Sequence, residues 1–246
     1  MLVLRYLSAS VVLLFLWEAG SLFLGPEILP SPSSAGLSFI LSLGSPDFLG
    51  HIGISLMRLI AALTLAVATG FPLGLWFGHC KKADWLGAPL TFITLPLPKI
   101  VLLPVFFTIL GLGDSSRILL IALTTGYQVL VIVRESALQI DPAYELALRS
   151  MGATRWERIL HAYLPAAMPA LFTALKISSG TAVAVLFLAE SFATDAGLGW
   201  LIMDAWGMGD IERMFVGILG MSILGVVLYG AVGLAERCVC AWMHRA

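Results

Sequence analysis

Four charged residues in long apolar stretches of this 246-residue chain are the first candidates for chemistry: Glu18, Lys99, Lys176 and Glu190. A charge at the middle of a membrane span costs about 2.5–3.5 kcal/mol on insertion scales, so such a residue is usually paired or functional. Glu190 is expected near an outer span end, where it can meet water, and Lys176 can extend towards the inner surface. Glu18 can pair with either lysine or with a neighbouring subunit.

Lys99 lies between two prolines, where a helix can be broken, and it can face a polar cavity. If the solute is a small anion, this lysine would attract it, although arginine or backbone amides could serve equally well. The small polar face around Gly180 either lines a pathway or lets helices pack closely, and packing is the preferred interpretation. The candidate pathway residues are Lys99, Ser178, Ser179, Thr181 and Glu190.

Enzymatic chemistry has little support in the residue pattern. The histidines are scattered without metal-ligand spacing, and no Ser-His or paired-carboxylate arrangement is apparent, so we expect no catalytic residue and no metal site. The G-x-x-x-x-G-K-[ST] phosphate loop does not occur in the sequence. We therefore expect no ATP hydrolysis by that route and no cofactor on this chain. A net charge of −1 gives no indication of nucleic acid as a partner.

The composition predicts an all-α membrane protein. Hydrophobic residues make up 59% of the chain and charged residues 12%, whereas soluble domains average about 25% charged residues. A span needs about 20 apolar residues. Six segments qualify within a single transmembrane domain over 1–246, at about 5–24, 58–78, 87–110, 117–134, 166–189 and 212–235. A cleaved signal peptide is the alternative for the first segment, but Glu18 follows its apolar run and no A-x-A-like site is evident.

Basic residues predict the orientation. Placing both termini in the cytoplasm puts most of them inside, as the positive-inside rule requires: Arg5, Lys81, Lys82, Arg134, Arg149, Arg155, Arg158, Arg237 and Arg245. The outer side then holds Arg117 and Arg213, with Arg58 at a boundary. The long link between spans four and five is cytoplasmic in this arrangement.

Glycines of the second span recur at four-residue spacing, at positions 70, 74 and 78. This spacing places them on one helix face and permits close backbone approach, so we predict packing within the chain.

The link at 141–164 is too polar to insert and too structured to be a linker. Asp141 before a proline is a strong helix start, and Gly152 can end that helix in the left-handed conformation. Thr154 and Glu157 form a capping box, which predicts a second helix running to Leu164-Pro165. Its apolar stripe either lies on the membrane or docks into a groove of another protein, and pattern alone leaves both open.

This link resembles the "EAA" loop of binding-protein-dependent ABC importer permeases. Gly152 and Leu164-Pro165 fall at that family's spacing, with Ala162 at its isoleucine position. Leu146-Ala147-Leu148 stands where Glu-Ala-Ala is expected, and the nearest acid, Glu145, comes one residue early.

Other fragments are similar to the sulfonate, taurine and nitrate branch of that family, and they occur in order from about residue 29 to residue 235. They are Leu29-Pro30-Ser31-Pro32, Ser55-Leu56-Met57-Arg58, Gly70-Phe71-Pro72-Leu73-Gly74, Pro98-Lys99-Ile100-Val101-Leu102-Leu103-Pro104, Ala189-Glu190 and Gly197-Leu198-Gly199-Trp200.

The resemblance implies a type I ABC importer permease, multi-pass in a bacterial inner membrane, that moves a small solute such as a sulfonate or nitrate. It implies a second permease copy forming a homodimer, cytoplasmic ABC ATPase subunits carrying ATP and Mg, and an extracytoplasmic substrate-binding protein. It favours docking over membrane contact for the loop. The residues implied to couple to the ATPase are Tyr144, Glu145, Ala147, Leu148, Arg149, Met151, Gly152, Ala153, Leu164 and Pro165.

Two other classes remain to be weighed. A secondary transporter driven by an ion gradient also needs several spans and buried charges, but the internal symmetry common in that class is not visible here. An intramembrane enzyme would need a nucleophile with its base or a metal cluster, which the sequence does not suggest.

Overall fold

The computed structural model describes residues 2–244, and these residues form helices and connecting turns without a β-strand. The α-helices of this described range are α1 (Leu2–Leu24), α2 (Pro32–Ser42), α3 (Pro46–His79), α4 (Lys81–Thr94), α5 (Leu103–Leu110), α6 (Asp114–Leu138), α7 (Pro142–Ser150), α8 (Arg155–Arg158), α9 (Leu164–Glu190), α10 (Leu198–Met208) and α11 (Ile211–Val239). The expected all-helical class is confirmed.

Among the described residues, five helices are long and apolar enough to cross a membrane, and a bent pair can supply a sixth crossing. The bent pair corresponds to the third expected span. There α4 ends at Thr94, a 3₁₀ turn covers Lys99–Leu102, and the two halves meet at 87°. The sequence Leu95-Pro96-Leu97-Pro98 explains the break, because neither proline has an amide hydrogen to donate back into the helix, and Pro98 is extended, with φ −71° and ψ 98°.

Three helical stretches differ from the sequence expectation. The composition of residues 29–34 indicates a loop, but α2 begins at Pro32, because the Ser31 hydroxyl accepts a hydrogen bond from the Ser34 amide at 3.2 Å. The second span starts earlier than residue 58, since α3 begins at Pro46. Between the fifth and sixth expected spans the chain forms a further helix, α10, which at 11 residues is too short to span.

The described chain consists of two compact units, and the first comprises residues up to 56 and residues 190–224. Aromatic contacts hold this unit together: Phe39 and Phe48 pack edge to face at 5.8 Å, and Trp17 lies 6.1 Å from Phe215. The Trp17 indole also donates a hydrogen bond to the carbonyl oxygen of Pro30 at 2.9 Å. Most other side chains of α1 are exposed and apolar, as expected of a helix that faces lipid.

The second unit comprises residues 57–189 and those from 225 onward. Its core joins α6 to α9 through Val129, Val133, Ala167, Leu171 and Ala174.

The glycine face of α3 packs on α6 within this unit, as predicted. A Cβ atom at Gly70 would lie 2.4 Å from the carbonyl oxygen of Gly126, and one at Gly74 would lie 2.7 Å from that of Leu130. Glycine is required here because only a residue without a side chain lets the backbones approach so closely.

Candidate functional site

The loop between α6 and α9 begins with a capped helix. The Asp141 carboxylate accepts a hydrogen bond from the Ala143 amide at 2.8 Å, and α7 starts at Pro142. This cap satisfies one of the free amides at the helix start, as the sequence predicted.

Gly152 ends α7 in the left-handed conformation, with φ +82°. Its amide donates to the carbonyl oxygen of Arg149, and the Ala153 amide donates to that of Leu148, each at 3.0 Å. This pair of bonds is the Schellman motif, which closes a helix and reverses the chain. Gly152 and Ala153 therefore define the shape of the loop.

Thr154 starts the second half of the loop with the predicted capping box. Its amide donates to the Glu157 carboxylate at 2.7 Å, and its hydroxyl accepts from the Glu157 amide at 3.3 Å. The expected helix ending at Leu164-Pro165 is wrong, however. The chain passes from α8 through a π-helical turn at Ile159–Tyr163 directly into α9, so the helix continues through Leu164 and Pro165 instead of ending there.

The loop exposes large apolar side chains. Tyr144 is 68% exposed and Met151 75% exposed, and Leu146 and Trp156 are similarly open. Of the other residues implied to couple, Ala147 and Arg149 are exposed, while Leu148, Ala153, Leu164 and Pro165 are half-buried. A cluster of exposed apolar residues on a polar segment indicates a surface that is covered in the working protein.

A groove of about 890 Å³ runs beside these residues. Its walls come from the end of α6, from α7 and from the start of α9, with Trp242 at one side. Tyr144, Met151 and Pro165 line it and connect the exposed apolar face to the base of the fifth span.

Glu145 points towards the protein rather than to the exposed face. Its Oε1 atom pairs with Arg158 Nη1 at 2.5 Å, and its Oε2 accepts a hydrogen bond from the Tyr163 hydroxyl at 2.9 Å. Tyr163 is buried and meets the ring of His79, the last residue of α3, edge to face at 4.4 Å. Sequence reasoning passed over Arg158, Tyr163 and His79 in this role, since nothing in the local pattern links them to Glu145.

Lys99, the first pathway candidate, stands at the break between α4 and α5. Its ammonium donates to the carbonyl oxygens of Thr94 at 3.1 Å and Leu95 at 2.8 Å, and it lies 4.2 Å from the centre of the Tyr127 ring. The lysine thus supplies donors to two carbonyls at the end of α4, of which that of Thr94 also accepts from the Leu97 amide at 3.2 Å. Two of its three N–H donors are therefore already engaged by the protein.

Ser178 and Ser179 are buried in α9 and bond to their own helix. Their hydroxyls donate to the carbonyl oxygens of Ala174 at 2.8 Å and Lys176 at 2.6 Å. Thr181 is half-buried on the same helix. This placement agrees with the preferred interpretation of close helix packing.

Glu190 does not meet water, contrary to the expectation from its position near a span end. Its side chain is fully buried at the end of α9. It accepts hydrogen bonds from the Ser55 hydroxyl, at 2.9 and 2.8 Å to its two oxygens, and from the Gly199 amide at 2.9 Å. Lys99, the two serines and Glu190 thus each have separate partners within the protein.

The segment before α10 is bound to α3 through the same group of contacts. Ser55 accepts from the Leu198 amide at 2.8 Å, and His51 Nδ1 accepts from the Gly197 amide at 3.1 Å. The His51 ring stacks on Trp200 at 5.0 Å. The fragments around Ser55 and Gly197 each carried the family resemblance, but only the folded chain shows that they meet at Glu190.

Three other basic residues in or near the spans also have local partners. Lys176 pairs with Glu236 of α11, a carboxylate that sequence reasoning passed over in favour of Glu18. Arg58 pairs with Asp114 at 2.7 Å, and the Arg117 guanidinium donates to the carbonyl oxygens of Leu112, Gly113 and Ala189. Each of these three basic side chains therefore has a partner within the protein.

Sequence comparison places the chain beside known transport proteins. The model of the family described as binding-protein-dependent transport system inner membrane component matches residues 70–239. The putative aliphatic sulfonates transport permease protein SsuC of Bacillus subtilis is 26% identical over 240 residues, covering 97% of this chain and 87% of its own length. The taurine transport system permease protein TauC of Escherichia coli is 26% identical, covering 96% and 88%. The riboflavin transport system permease protein RibX of Chloroflexus aurantiacus is 28% identical, covering 94% and 87%.

Structural comparison gives the same fold. A chain of an inward-facing structure of the MetNI methionine ABC transporter matches with a TM-score of 0.65 and 19% identity, covering 77% of this chain and 94% of that one. At 19% identity this match shows the fold alone.

Proposed function

The chain belongs to the family of binding-protein-dependent transport system inner membrane components, as a permease subunit of an ABC importer, and we propose that ATPases on separate cytoplasmic chains drive it through the loop at 141–164. The protein is multi-pass in the inner membrane. ATP and Mg bind the partner ATPases, and this chain carries no cofactor of its own. The sequence supports this division because it has no phosphate loop.

The observation that carries the proposal is the exposed apolar face of a loop whose shape is set by three caps. The Asp141 cap, the Gly152 reversal and the Thr154 capping box give the loop one defined shape. A preshaped surface with Tyr144 and Met151 exposed suits docking into a groove of a second protein, because little conformational entropy is lost on binding.

A charge placed on this face is expected to prevent docking. We expect Met151→Glu to weaken capture of the ATPase at least about tenfold, because a carboxylate would be desolvated in an apolar contact. The measurement is co-purification of the ATPase with the tagged permease from membranes. Met208→Glu is the matched control, since Met208 is 71% exposed at the end of α10 and is not part of the loop at 141–164. Equal ATPase capture by both variants would contradict docking at this face.

Capture of the ATPase also tests the orientation of the permease in the membrane and the number of permease copies in the complex. The loop follows four crossings and the C-terminus six, so a loop held by a cytoplasmic ATPase implies that both termini are cytoplasmic. The mass of the captured complex counts the permease copies, and we propose a homodimer. A complex with one copy would contradict that assignment.

The proposed solute is a small organic anion of the sulfonate type, delivered by an extracytoplasmic binding protein. Two relatives that cover nearly the whole chain are named for aliphatic sulfonates and for taurine. We expect proteoliposomes with the binding protein and ATPase to take up radiolabelled taurine or an alkanesulfonate when ATP is enclosed. If the proteoliposomes take up riboflavin and neither of the two sulfonates, the proposed solute class is wrong.

A further inference from the structure

The Glu145 carboxylate links the loop at 141–164 to the ends of two spans through Arg158, Tyr163 and His79. We call these four residues the Glu145 strut. Both oxygens of the carboxylate are engaged within the protein, one by Arg158 and one by Tyr163. Its side chain is 30% exposed, whereas its helix neighbours Tyr144 and Leu146 are each 68% exposed. The acid thus lies on the inner face of α7, opposite the apolar residues that suit docking.

The π-helical turn at Ile159–Tyr163 brings the two partners of Glu145 together. Arg158 and Tyr163 are five residues apart, and in an α-helix such residues point about 140° away from each other. A π-helical turn closes its hydrogen bonds from i to i+5 and so brings these two positions nearer in direction, and both side chains reach the Glu145 carboxylate. π-helical turns are rare and are found frequently at functional sites.

The strut reaches α3 as well as α9. Tyr163 is buried at the base of the fifth span, and its ring meets His79 at the end of the second span. Two buried polar atoms of the group, His79 Nδ1 and Arg158 Nε, have no hydrogen-bond partner among the described residues. Buried polar atoms without partners are rare in native proteins. Here the two atoms are available to form hydrogen bonds when the same groups take up a second arrangement.

We propose that the Glu145 strut transmits movement of the docked loop to α3 and α9, and that Glu145 is a positioning residue rather than a contact to the ATPase. The proposal rests on the function proposed above, in which the loop at 141–164 docks an ATPase. The contacts of the Glu145 strut make the loop and the two span ends move as one body, which rigid-body switching requires. Without these contacts, the loop moves with the ATPase but α3 and α9 do not move with the loop.

The test measures solute transported per ATP hydrolysed in proteoliposomes that hold the complete transporter with its binding protein. We expect Glu145→Leu to lower this ratio about tenfold and Tyr163→Phe about threefold, in line with losing a charged pair or one hydrogen bond. ATPase capture should remain at the wild-type level in both, because neither side chain lies on the docking face. Tyr229→Phe is the matched control, since Tyr229 is exposed on α11, and it should keep the wild-type ratio.

Charge exchange separates transmission from simple loss of structure. We expect Arg158→Glu to lower the ratio as Glu145→Leu does, and Arg158→Glu combined with Glu145→Arg to restore it. Tyr163→Phe keeps the packing and removes one oxygen, so it preserves the test if the Glu145 variants fail to assemble. A wild-type ratio in Glu145→Leu and Tyr163→Phe, or loss of ATPase capture in these variants, would overturn the strut. Absence of ATPase capture by the wild-type chain would overturn the proposed function instead.

Discussion

Gly152→Pro is expected to abolish ATP-driven uptake while the chain still inserts into the membrane. Gly152 has φ +82°, and a proline ring holds φ near −65°, so the loop cannot keep its reversal. Proline also lacks the amide hydrogen that Gly152 donates to the Arg149 carbonyl at 3.0 Å. A Cβ at this position would meet nothing within 4 Å, so the effect comes from the backbone and not from packing. Uptake by proteoliposomes with the ATPase and binding protein measures it.

Gly152→Ala provides the graded control for this prediction. Alanine retains the amide hydrogen and costs only about 1–2 kcal/mol in the left-handed conformation, so we expect reduced rather than abolished uptake. Full uptake by the proline variant with the ATPase still bound would show that the loop geometry is not needed for coupling. Equal loss in both variants would point to a role of the glycine other than its positive φ.

Gly70→Ala is expected to lower the free energy of unfolding by about 1–3 kcal/mol, the usual cost of overpacking. The added Cβ would lie 2.4 Å from a backbone oxygen of Gly126, and backbone cannot rotate away as a side chain can. The helices α3 and α6 must therefore separate. Thermal unfolding of the purified protein in detergent measures the change.

Gly53→Ala is the matched control because it lies in the same helix, α3, with open space around the new Cβ. We expect its melting temperature to equal or slightly exceed that of the wild type, since alanine favours helix by about 1 kcal/mol over glycine. If Gly70→Ala and Gly53→Ala melt together, close backbone contact is not what requires glycine at position 70.

The loop caps and most of the spans could be predicted because they depend on residues close together in the chain. Asp141, Gly152 and Thr154 each act on amides or carbonyls within about one helical turn. The span positions follow from runs of apolar residues, which the bilayer thickness requires. The glycine face of α3 was predictable as a packing surface, although its partner helix was not.

Helix breaks and continuations were harder to predict, since tertiary packing decides between competing local signals. Prolines 96 and 98 break the third span, and Lys99 stabilises the break with bonds to Thr94 and Leu95. Pro165 carries the same chemical limits yet stands inside a continuous helix, two residues after the π-helical turn ends at Tyr163. The residue type is the same in both places and the outcome differs.

By itself the sequence determined the protein class, the approximate spans and the capped loop, because composition and short-range hydrogen bonds are encoded locally. Only the tertiary structure decided which partner each isolated charge has. Glu145 binds Arg158 and Tyr163, and Glu190 binds Ser55 and Gly199. The physical reason is that a buried carboxylate must be satisfied by whatever donors folding brings to it, and those donors can lie more than a hundred residues away, as Ser55 does from Glu190.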